Sequence, residues 1–385
     1  MTGNANFQFY YVDQDFNTSV DASSWSNSPA DIGSWAVYAT DGNPGLQDHG
    51  WYFGVDEAEL QLNVSGAADN GLNYGFKIEL NANTTDNAMA DEVRLQLSGG
   101  WGTLQLGDED GAEDVMNYGG ENLMGATGGF DGDYDDVLFR NFETYNGVEQ
   151  MAAPSYPTIV GDTSDATKVS YFSPRFSGFQ VGASLTPTPQ SGDGFKSDKA
   201  WENHIGIGAN YDNTFGDLRI RASAVYSGAS STTSPNTDFL LNDISAWSVG
   251  GIVNWGAFGL GANYTDNGDS GMWDLSNEGR TSESSYWNVA ASFETGPLYF
   301  SAGYMSSVRD YSGTDPYYVA APDSTFENIA LTVDYTMAPG LGIYAEVDLI
   351  SDEFIGGGAV CEDNWGGINC SNDATILIMG ANVSF

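Results

Sequence analysis

The residues of this sequence best suited to chemistry are carboxylates, and they are concentrated between positions 108 and 166. This stretch holds 14 Asp and Glu residues against one basic residue, Arg140. Candidate pore-lining residues in its first part are Asp108, Asp110, Glu113, Asp114 and Glu121. Crowded carboxylates attract cations, and low-dielectric surroundings strengthen their field. The stretch is therefore predicted to concentrate or bind cations.

One motif within the stretch, DGDYDD, brings hard oxygen ligands together at alternate positions. Its carboxylates are Asp131, Asp133, Asp135 and Asp136. Oxygen ligands of this kind suit calcium. The motif is not an EF-hand, because Asp136 replaces the required glycine and Phe142 takes the position of the bidentate glutamate. A calcium site is one interpretation, and a solvated acidic loop with diffuse counterions is the other.

Basic residues are scarce, with 11 Lys and Arg against 53 Asp and Glu and a formal charge of −42. Candidate lumenal charges in alternating segments are Lys77, Arg94, Arg219 and Arg221, together with Glu57, Glu59 and Glu79. We hypothesise that the acidic stretch narrows a pore opposite the basic residues, which gives an eyelet of net negative potential. The alternative is that each basic residue pairs with a neighbouring carboxylate, remote from the eyelet.

Composition disfavours several classes of function. No Lys/Arg cluster is present that would bind nucleic acid. His49 and His204 are the only histidines, and neither a Gly-x-Ser-x-Gly motif nor a His/Cys metal constellation occurs. Aromatic residues make up 13% of the chain, which argues against a disordered acidic tail. We expect an ordered protein that is not an enzyme.

The C-terminal stretch TILIMGANVSF indicates the elements that carry these side chains. Successive side chains of a strand point to opposite faces, so Leu377, Met379, Ala381, Val383 and Phe385 share one face. The same alternation recurs along the chain and predicts about 16 strands. Connections are short after even-numbered strands and long after odd-numbered ones, a pattern typical of membrane barrels.

The two faces of these strands differ in polarity. One face is apolar, with Trp and Tyr near strand ends, as at a membrane interface. The other carries charges that would be costly in a dry core, so it is expected to face water. No run of 18 apolar residues predicts a membrane-spanning helix. The sequence therefore predicts an all-β protein, an antiparallel transmembrane β-barrel forming a single domain over residues 1–385 and surrounded by membrane lipid.

Three features together resemble the general diffusion porins of Gram-negative outer membranes. They are Phe385, the segment GTLQLGDED that leads into the acidic stretch, and the segment KVSYFSPRFSGFQVGASL. The resemblance covers the whole chain in topology. It implies that Phe385 is an assembly signal, that the third loop, about 108–166, folds inward as a constriction, and that the barrel forms a homotrimer in an outer membrane containing lipopolysaccharide. The loop is far more acidic than the wall is basic, which departs from the transverse field of that family.

Cys361 and Cys370 flank a short Gly/Asn-rich loop, CEDNWGGINC. Their spacing predicts a local disulfide in an oxidising compartment, with a metal pair or free thiols as alternatives. The chain lacks a charged segment followed by an apolar one at its start, so an exported protein would be present here in its processed form.

The leading functional hypothesis is a water-filled porin for passive diffusion of small hydrophilic solutes, with a preference for cations. It requires no cofactor, and calcium is the candidate bound ion. One alternative is a substrate-specific outer-membrane channel, which saturable transport would support. Another is a calcium-dependent structural barrel of the cell surface, which a closed lumen would support.

Overall fold

A computed structural model describes residues 1–16, 49–82, 90–138, 144–145, 148–149, 153–187, 201–232, 241–272, 281–312, 323–355 and 369–385. Its strands are β1 (Thr2–Phe16), β2 (His49–Gly54), β3 (Ala58–Ala67), β4 (Asn73–Asn81), β5 (Ala90–Gly99), β6 (Gly102–Asp108), β7 (Thr144–Tyr145), β8 (Val148–Glu149), β9 (Thr167–Phe172), β10 (Phe179–Thr186), β11 (Trp201–Phe215), β12 (Leu218–Ser231), β13 (Ile244–Trp255), β14 (Phe258–Gly268), β15 (Thr281–Thr295), β16 (Leu298–Ser312), β17 (Ser324–Ala338), β18 (Leu341–Ile355) and β19 (Asn369–Ser384). Between β6 and β9 lie helix α1 (Ala112–Val115) and 3₁₀ turns at Glu121–Leu123, Gly129–Asp131 and Asp133–Asp136. None of the described helices has the length and apolar character needed to cross a membrane.

The main sheet closes on itself through an antiparallel pairing of β1 with β19, in which Tyr10 lies opposite Ile378. It contains 17 strands in 16 positions, because β2 and β3 lie end to end along β1. Closure removes the unpaired edge strands that lipid cannot satisfy. The prediction of a transmembrane antiparallel barrel of about 16 strands is confirmed.

Connections of two lengths alternate along the chain. The short connections are 68–72, 100–101, 173–178, 216–217, 256–257, 296–297 and 339–340, and each joins the two strands of a hairpin. Longer segments join one hairpin to the next. Gly216 and Gly256 have φ values of +64° and +56°, a conformation that tight hairpin turns need and that glycine adopts without strain. This alternation agrees with the pattern predicted from the sequence and places the short turns at one end of the barrel.

The outward face of the barrel is apolar and exposed, as lipid contact requires. Its exposed large side chains include Trp51, Leu95, Val181, Trp247, Trp255, Leu331 and Met379. Aromatic pairs reinforce this face across neighbouring strands, for example Trp247 with Tyr264, whose ring centroids are 5.6 Å apart. The buried hydrophobic clusters lie inside the barrel, between its inner wall and the segment that joins β6 to β9.

This joining segment, residues 109–166, is called the insert below. Its backbone N–H groups donate to inward side chains of successive strands: Ala112 to Ser184, Tyr118 to Ser223, Gly120 to Asn288, Gly125 to Ser301, Ala126 to Asp334 and Thr127 to Glu346. Its later part contacts the same wall in reverse order. The N–H of Ala153 donates to the Ser324 hydroxyl, the Tyr286 hydroxyl donates to the carbonyl oxygen of Pro157, and the N–H of Val160 donates to Asn267 Oδ1. The described insert thus follows the inner wall from β10 past β18 and β19 to β1, where it contacts Gln8, Tyr10 and Gln14, and then returns.

Close approach of the insert depends on small residues in the wall. A Cβ atom at Gly303 would overlap with the ring of Phe130, and one at Gly250 would overlap with the carbonyl oxygen of Tyr118. Phe130 is fully buried in a cluster that also contains Ile252 and Met305. Apolar packing and backbone hydrogen bonds therefore both hold the insert against the inner wall.

We expect Phe130→Ala to loosen the insert while leaving the barrel closed. Removal of a buried phenylalanine ring typically costs about 3–5 kcal/mol, and here the cost falls on the contact between insert and wall. Limited proteolysis of the folded barrel should show faster cleavage within residues 109–166. Val115→Ala, at an exposed position of α1, is the control. Equal cleavage rates in the two variants would contradict this packing account.

Candidate functional site

The inner face of β3 to β6, called the aperture wall below, differs in exposure from the rest of the lumen. Lys77 and Arg94 on this wall keep 18% and 20% of their side-chain surface exposed. On the wall covered by the insert, inward residues such as Asn288 and Asn328 have no exposed surface. Water therefore reaches the aperture wall, and the open part of the lumen lies on this side of the barrel.

An ion-pair network covers the aperture wall. Lys77 Nζ lies 2.5 Å from Glu79 Oε1 and 2.7 Å from Glu92 Oε2. Arg94 Nη1 lies 3.9 Å from Glu92 Oε2 and also pairs with Glu109 of the insert. The sheet register places Lys77 and Arg94 directly opposite each other on β4 and β5. Like charges in that position are destabilising, so the surrounding carboxylates offset the repulsion between Lys77 and Arg94.

Carboxylates outnumber cations in this network. Oxygen atoms of Glu92, Glu109 and Asp110 lie within 4.8 Å of one another, and so do those of Glu59, Glu79 and Asp91. Glu57, two residues before Glu59, is exposed. The opposing cations are Lys77, Arg94 and the buried Lys168, so carboxylates remain in excess and the aperture wall is negative. Either group of three could hold a cation chemically, but ion pairs with Lys77 and Arg94 already engage Glu79, Glu92 and Glu109.

Lys168 is a basic residue of the site that the sequence reasoning missed. It is buried on β9, and its Nζ donates to the carbonyl oxygens of Glu109 and Ser164, the two ends of the insert. Glu92 and Glu109 were also absent from the predicted set. Alternation along β5 places Glu92 on the face of Arg94 and could have identified it. The roles of Lys168 and Glu109 depend on contacts distant in sequence.

Arg219 and Arg221 lie on a different part of the inner wall, near the turn between β11 and β12. Arg219 makes a bidentate pair with Asp212, with N to O distances of 2.8 and 2.6 Å, and its side chain is 47% exposed. Arg221 donates to Asn254 Oδ1 at 3.2 Å and lies over the ring of Tyr118, 5.4 Å from its centre. Arg221 therefore meets the insert, whereas Arg219 pairs locally.

The predicted carboxylates of the first part of the insert have different surroundings. Glu113 is buried and accepts a hydrogen bond from Ser184, while Glu121 accepts one from Asn288 at 2.8 Å. Asp108, the last residue of β6, accepts from Thr167. Asp114 is exposed on α1, and Asp110 is half-buried beside the aperture wall. Glu113 and Glu121 thus fasten the insert, and Asp110 and Asp114 are open to lumenal water.

The four aspartates of the DGDYDD motif lie within the 3₁₀ turns Gly129–Asp131 and Asp133–Asp136, near β1. Asp133 accepts a hydrogen bond from Gln8, and Asp136 accepts one from Tyr10 at 3.1 Å. Asp131 and Asp135 are exposed. These four are not among the groups of three close carboxylates found in the described residues. Calcium binding at this motif stays a prediction.

Two further predicted sites lie at the C-terminal end of the chain. Phe385 pairs with Gly3 through two backbone hydrogen bonds of 3.0 Å, and its ring is exposed on the outward face. Its role as an assembly signal stays a prediction. Cys361, and the side chain of Cys370, lie outside the described residues, so the predicted disulfide is untested.

The enclosing barrel changes the protonation of the insert. Desolvation by the surrounding protein, which acts on Asp114 although that side chain touches lumenal water, and then the nearby charges of Asp162 and Asp56 respectively raise the pKa values of Asp114 and Asp133 to about 8. Desolvation also raises the pKa of Glu121 to about 7, against the lowering effect of its hydrogen bonds. Because the raised pKa favours the protonated form, the insert carries less negative charge below pH 7 than its composition suggests.

A closed antiparallel barrel with an apolar exterior, a charged and wetted inner wall and alternating short turns defines an outer-membrane channel. Residues 1–353 match the family model described as Gram-negative porin, and the chain belongs to that family. Membership places the protein in the outer membrane of a Gram-negative bacterium. An uncharacterized protein of Rickettsia prowazekii (strain Madrid E) is 22% identical over 339 residues, covering 72% of this chain and 74% of its own. A counterpart in Rickettsia conorii is 23% identical over 341 residues, with coverage of 72% and 74%.

Solved structures of outer-membrane proteins share the fold. In-vitro folded OmpT of Vibrio cholerae, in its trimer form, gives a TM-score of 0.58 at 14% identity, covering 100% of this chain and 99% of its own. The anion-selective porin of Comamonas acidovorans gives 0.57 at 15% identity, with coverage of 100% and 98%. A mutant of the Rh. blastica porin gives 0.51 at 14% identity, covering 100% of both chains. At these identities the likeness concerns the fold.

We expect the ion preference of the channel to depend on pH between 6 and 9. As pH rises through about 8, Asp114 and Asp133 lose their protons, so cation preference should increase. Their folded-state pKa values exceed the value of aspartate in an unfolded chain, about 3.9, so stability should fall as pH rises from about 4 to about 8. Reversal potentials in a KCl gradient at pH 6 and 9 measure the first effect. The Asp114→Asn, Asp133→Asn double variant is the control and should show a smaller change. A pH-independent preference in the parent protein would contradict the assignment.

Proposed function

We propose that this porin is a passive diffusion channel for small hydrophilic solutes with a preference for cations. The observation that supports it most is the charge of the aperture wall. Three cations, Lys77, Arg94 and the buried Lys168, stand against five carboxylates, Glu59, Glu79, Glu92, Glu109 and Asp110, on the side of the lumen that water reaches.

Electrostatics give this excess of carboxylates a direct effect on permeation. Each carboxylate beside a narrow aqueous path attracts cations and repels anions, and low-dielectric walls focus the field. The Comamonas acidovorans relative is an anion-selective porin, so the fold is compatible with either sign of selectivity. The sign in this chain is proposed to follow from its own residues.

The insert sets the size of the path in this proposal. It covers the inner wall from β10 round to β1, so solutes pass between the insert and the aperture wall. Glu109 and Asp110 lie where the insert leaves β6, next to Arg94 and Glu92. A solute therefore meets charges of both signs at the narrowest part, with the negative sign in excess.

The working unit is proposed to be a homotrimer in an outer membrane that contains lipopolysaccharide. The trimer form of Vibrio cholerae OmpT supports the oligomeric state. No catalytic role is included in the proposal. His49 is exposed beside Asp13, and His204 is buried on β11, so the two histidines do not form one site.

Planar-bilayer recording of the purified protein tests the proposal. We expect ohmic conductance steps and a reversal potential of cationic sign in a KCl gradient, reduced when calcium is added to screen the carboxylates. Absence of conductance, or a reversal potential of anionic sign, would overturn it. Saturation of the current by one solute would point instead to a substrate-specific channel.

Removing carboxylates from the aperture should weaken cation preference. A unit charge about 6 Å from a cation in water contributes about 0.7 kcal/mol before screening, and salt reduces this to about a twofold effect on local cation concentration. Glu92→Gln with Glu109→Gln should therefore shift the reversal potential toward zero. Glu327→Gln removes an exposed carboxylate from the outward face of β17 and is the matched control. Equal reversal potentials in both variants would contradict the assignment.

A further inference from the structure

A pair of carboxylates lies fully buried beneath the insert, away from the aperture. Glu346 and Asp348 share the inner face of β18 and have no exposed surface. Their carboxyl groups are within hydrogen-bonding reach of each other. No Lys, Arg or His among the described residues forms an ion pair with either one. Burial of two uncompensated negative charges costs several kcal/mol for each ion, so either protons or a bound cation must neutralise them.

The surroundings of the pair supply oxygen atoms but few donors. Glu346 Oε2 accepts hydrogen bonds from the N–H and hydroxyl of Thr127, at 3.0 and 2.9 Å. Asp348 Oδ1 accepts from Asn328 Nδ2 at 3.1 Å. Ile376 and Ile378, opposite these residues on β19, are apolar and fully buried. The neighbouring strand therefore brings no countercharge.

Three buried oxygen atoms in this cluster have no partner: Glu346 Oε1, Asp348 Oδ2 and Asn328 Oδ1. Asn328 is itself fully buried on β17, and its amide lies against the Asp348 carboxylate. An unpaired buried acceptor costs about 1–3 kcal/mol. A proton shared between the two carboxyl groups would satisfy two of these oxygens and leave the Asn328 oxygen unpaired. A bound cation would give all three oxygens a partner, because each of them could coordinate it.

We propose that Glu346, Asp348 and Asn328 bind one hard divalent cation of the calcium type between β17, β18 and the insert. Carboxylate and amide oxygens are the ligands calcium prefers, and two carboxylates neutralise its charge. Glu346 connects this ion to the insert through Thr127, and Asp334 holds the adjacent Ala126. The ion thus braces residues 125–129 against the wall. This site adjoins the DGDYDD motif, because the Asp133 N–H donates to the same Thr127 hydroxyl, but it uses other ligands and does not depend on the proposed permeation.

Calcium binding to the folded barrel in detergent, after EDTA treatment and removal of the chelator, tests this proposal. Isothermal titration with calcium alone should reveal a tight site in the parent protein that is lost in Asp348→Asn. Calcium should also raise the thermal unfolding temperature of the parent protein but not of the variant. Glu327→Gln removes the same charge from the outward face of β17, so it should retain both effects and controls for the acidity of the chain.

A second variant keeps the test decisive if Asp348→Asn fails to fold. Asn328→Asp preserves an oxygen ligand and adds a negative charge, so it should tighten calcium binding and enlarge the calcium-dependent rise in unfolding temperature. Retention of the tight site in Asp348→Asn, or weaker calcium binding in Asn328→Asp, would overturn the proposal. A parent protein that ignores calcium but is stabilised by acid would also overturn it, in favour of a shared proton.

Discussion

Hydrogen bonding between the backbone of the insert and the inward side chains of the barrel is the interaction on which the rest of the structure depends. A closed barrel satisfies its own strand backbone but leaves a ring of polar side chains facing the lumen. The insert, by contrast, has irregular backbone that needs partners. Ser184, Ser223, Asn288, Ser301, Asp334 and Glu346 meet both needs at once. Small wall residues such as Gly303 then allow the apolar anchors of the insert to pack closely.

Asymmetry of the lumen follows from this attachment. Because the insert occupies the wall from β10 round to β1, the inward side chains there are buried and fixed. The side chains of β3 to β6 stay in contact with water, and their charges control what passes. Lys77 and Arg94 are held in place by carboxylates on both sides, so the positive groups are fixed while the net charge stays negative.

Much of the barrel could be predicted from the sequence, since strand alternation and turn spacing are local signals. The strand number, the outward faces and the place of the insert after the fifth strand position all follow from them. The break between β2 and β3 carries no comparable signal. The path of the insert was not predictable either, because contacts such as Thr127 with Glu346 join residues distant in sequence. Arg219 pairs with Asp212, although the hairpin register places Asp212 directly opposite Arg221, so this pair depends on side-chain conformation that the sequence does not show.

The most direct test of an off-centre aperture is thiol accessibility measured by current block. Asn63→Cys places a thiol on the exposed inner face of β3, and Ser248→Cys places one on β13, where the residue is fully buried beneath the insert. A charged methanethiosulfonate reagent should reduce the conductance of Asn63→Cys and leave that of Ser248→Cys unchanged, with the parent protein as background for its own cysteines. Equal or faster block of Ser248→Cys would contradict the account.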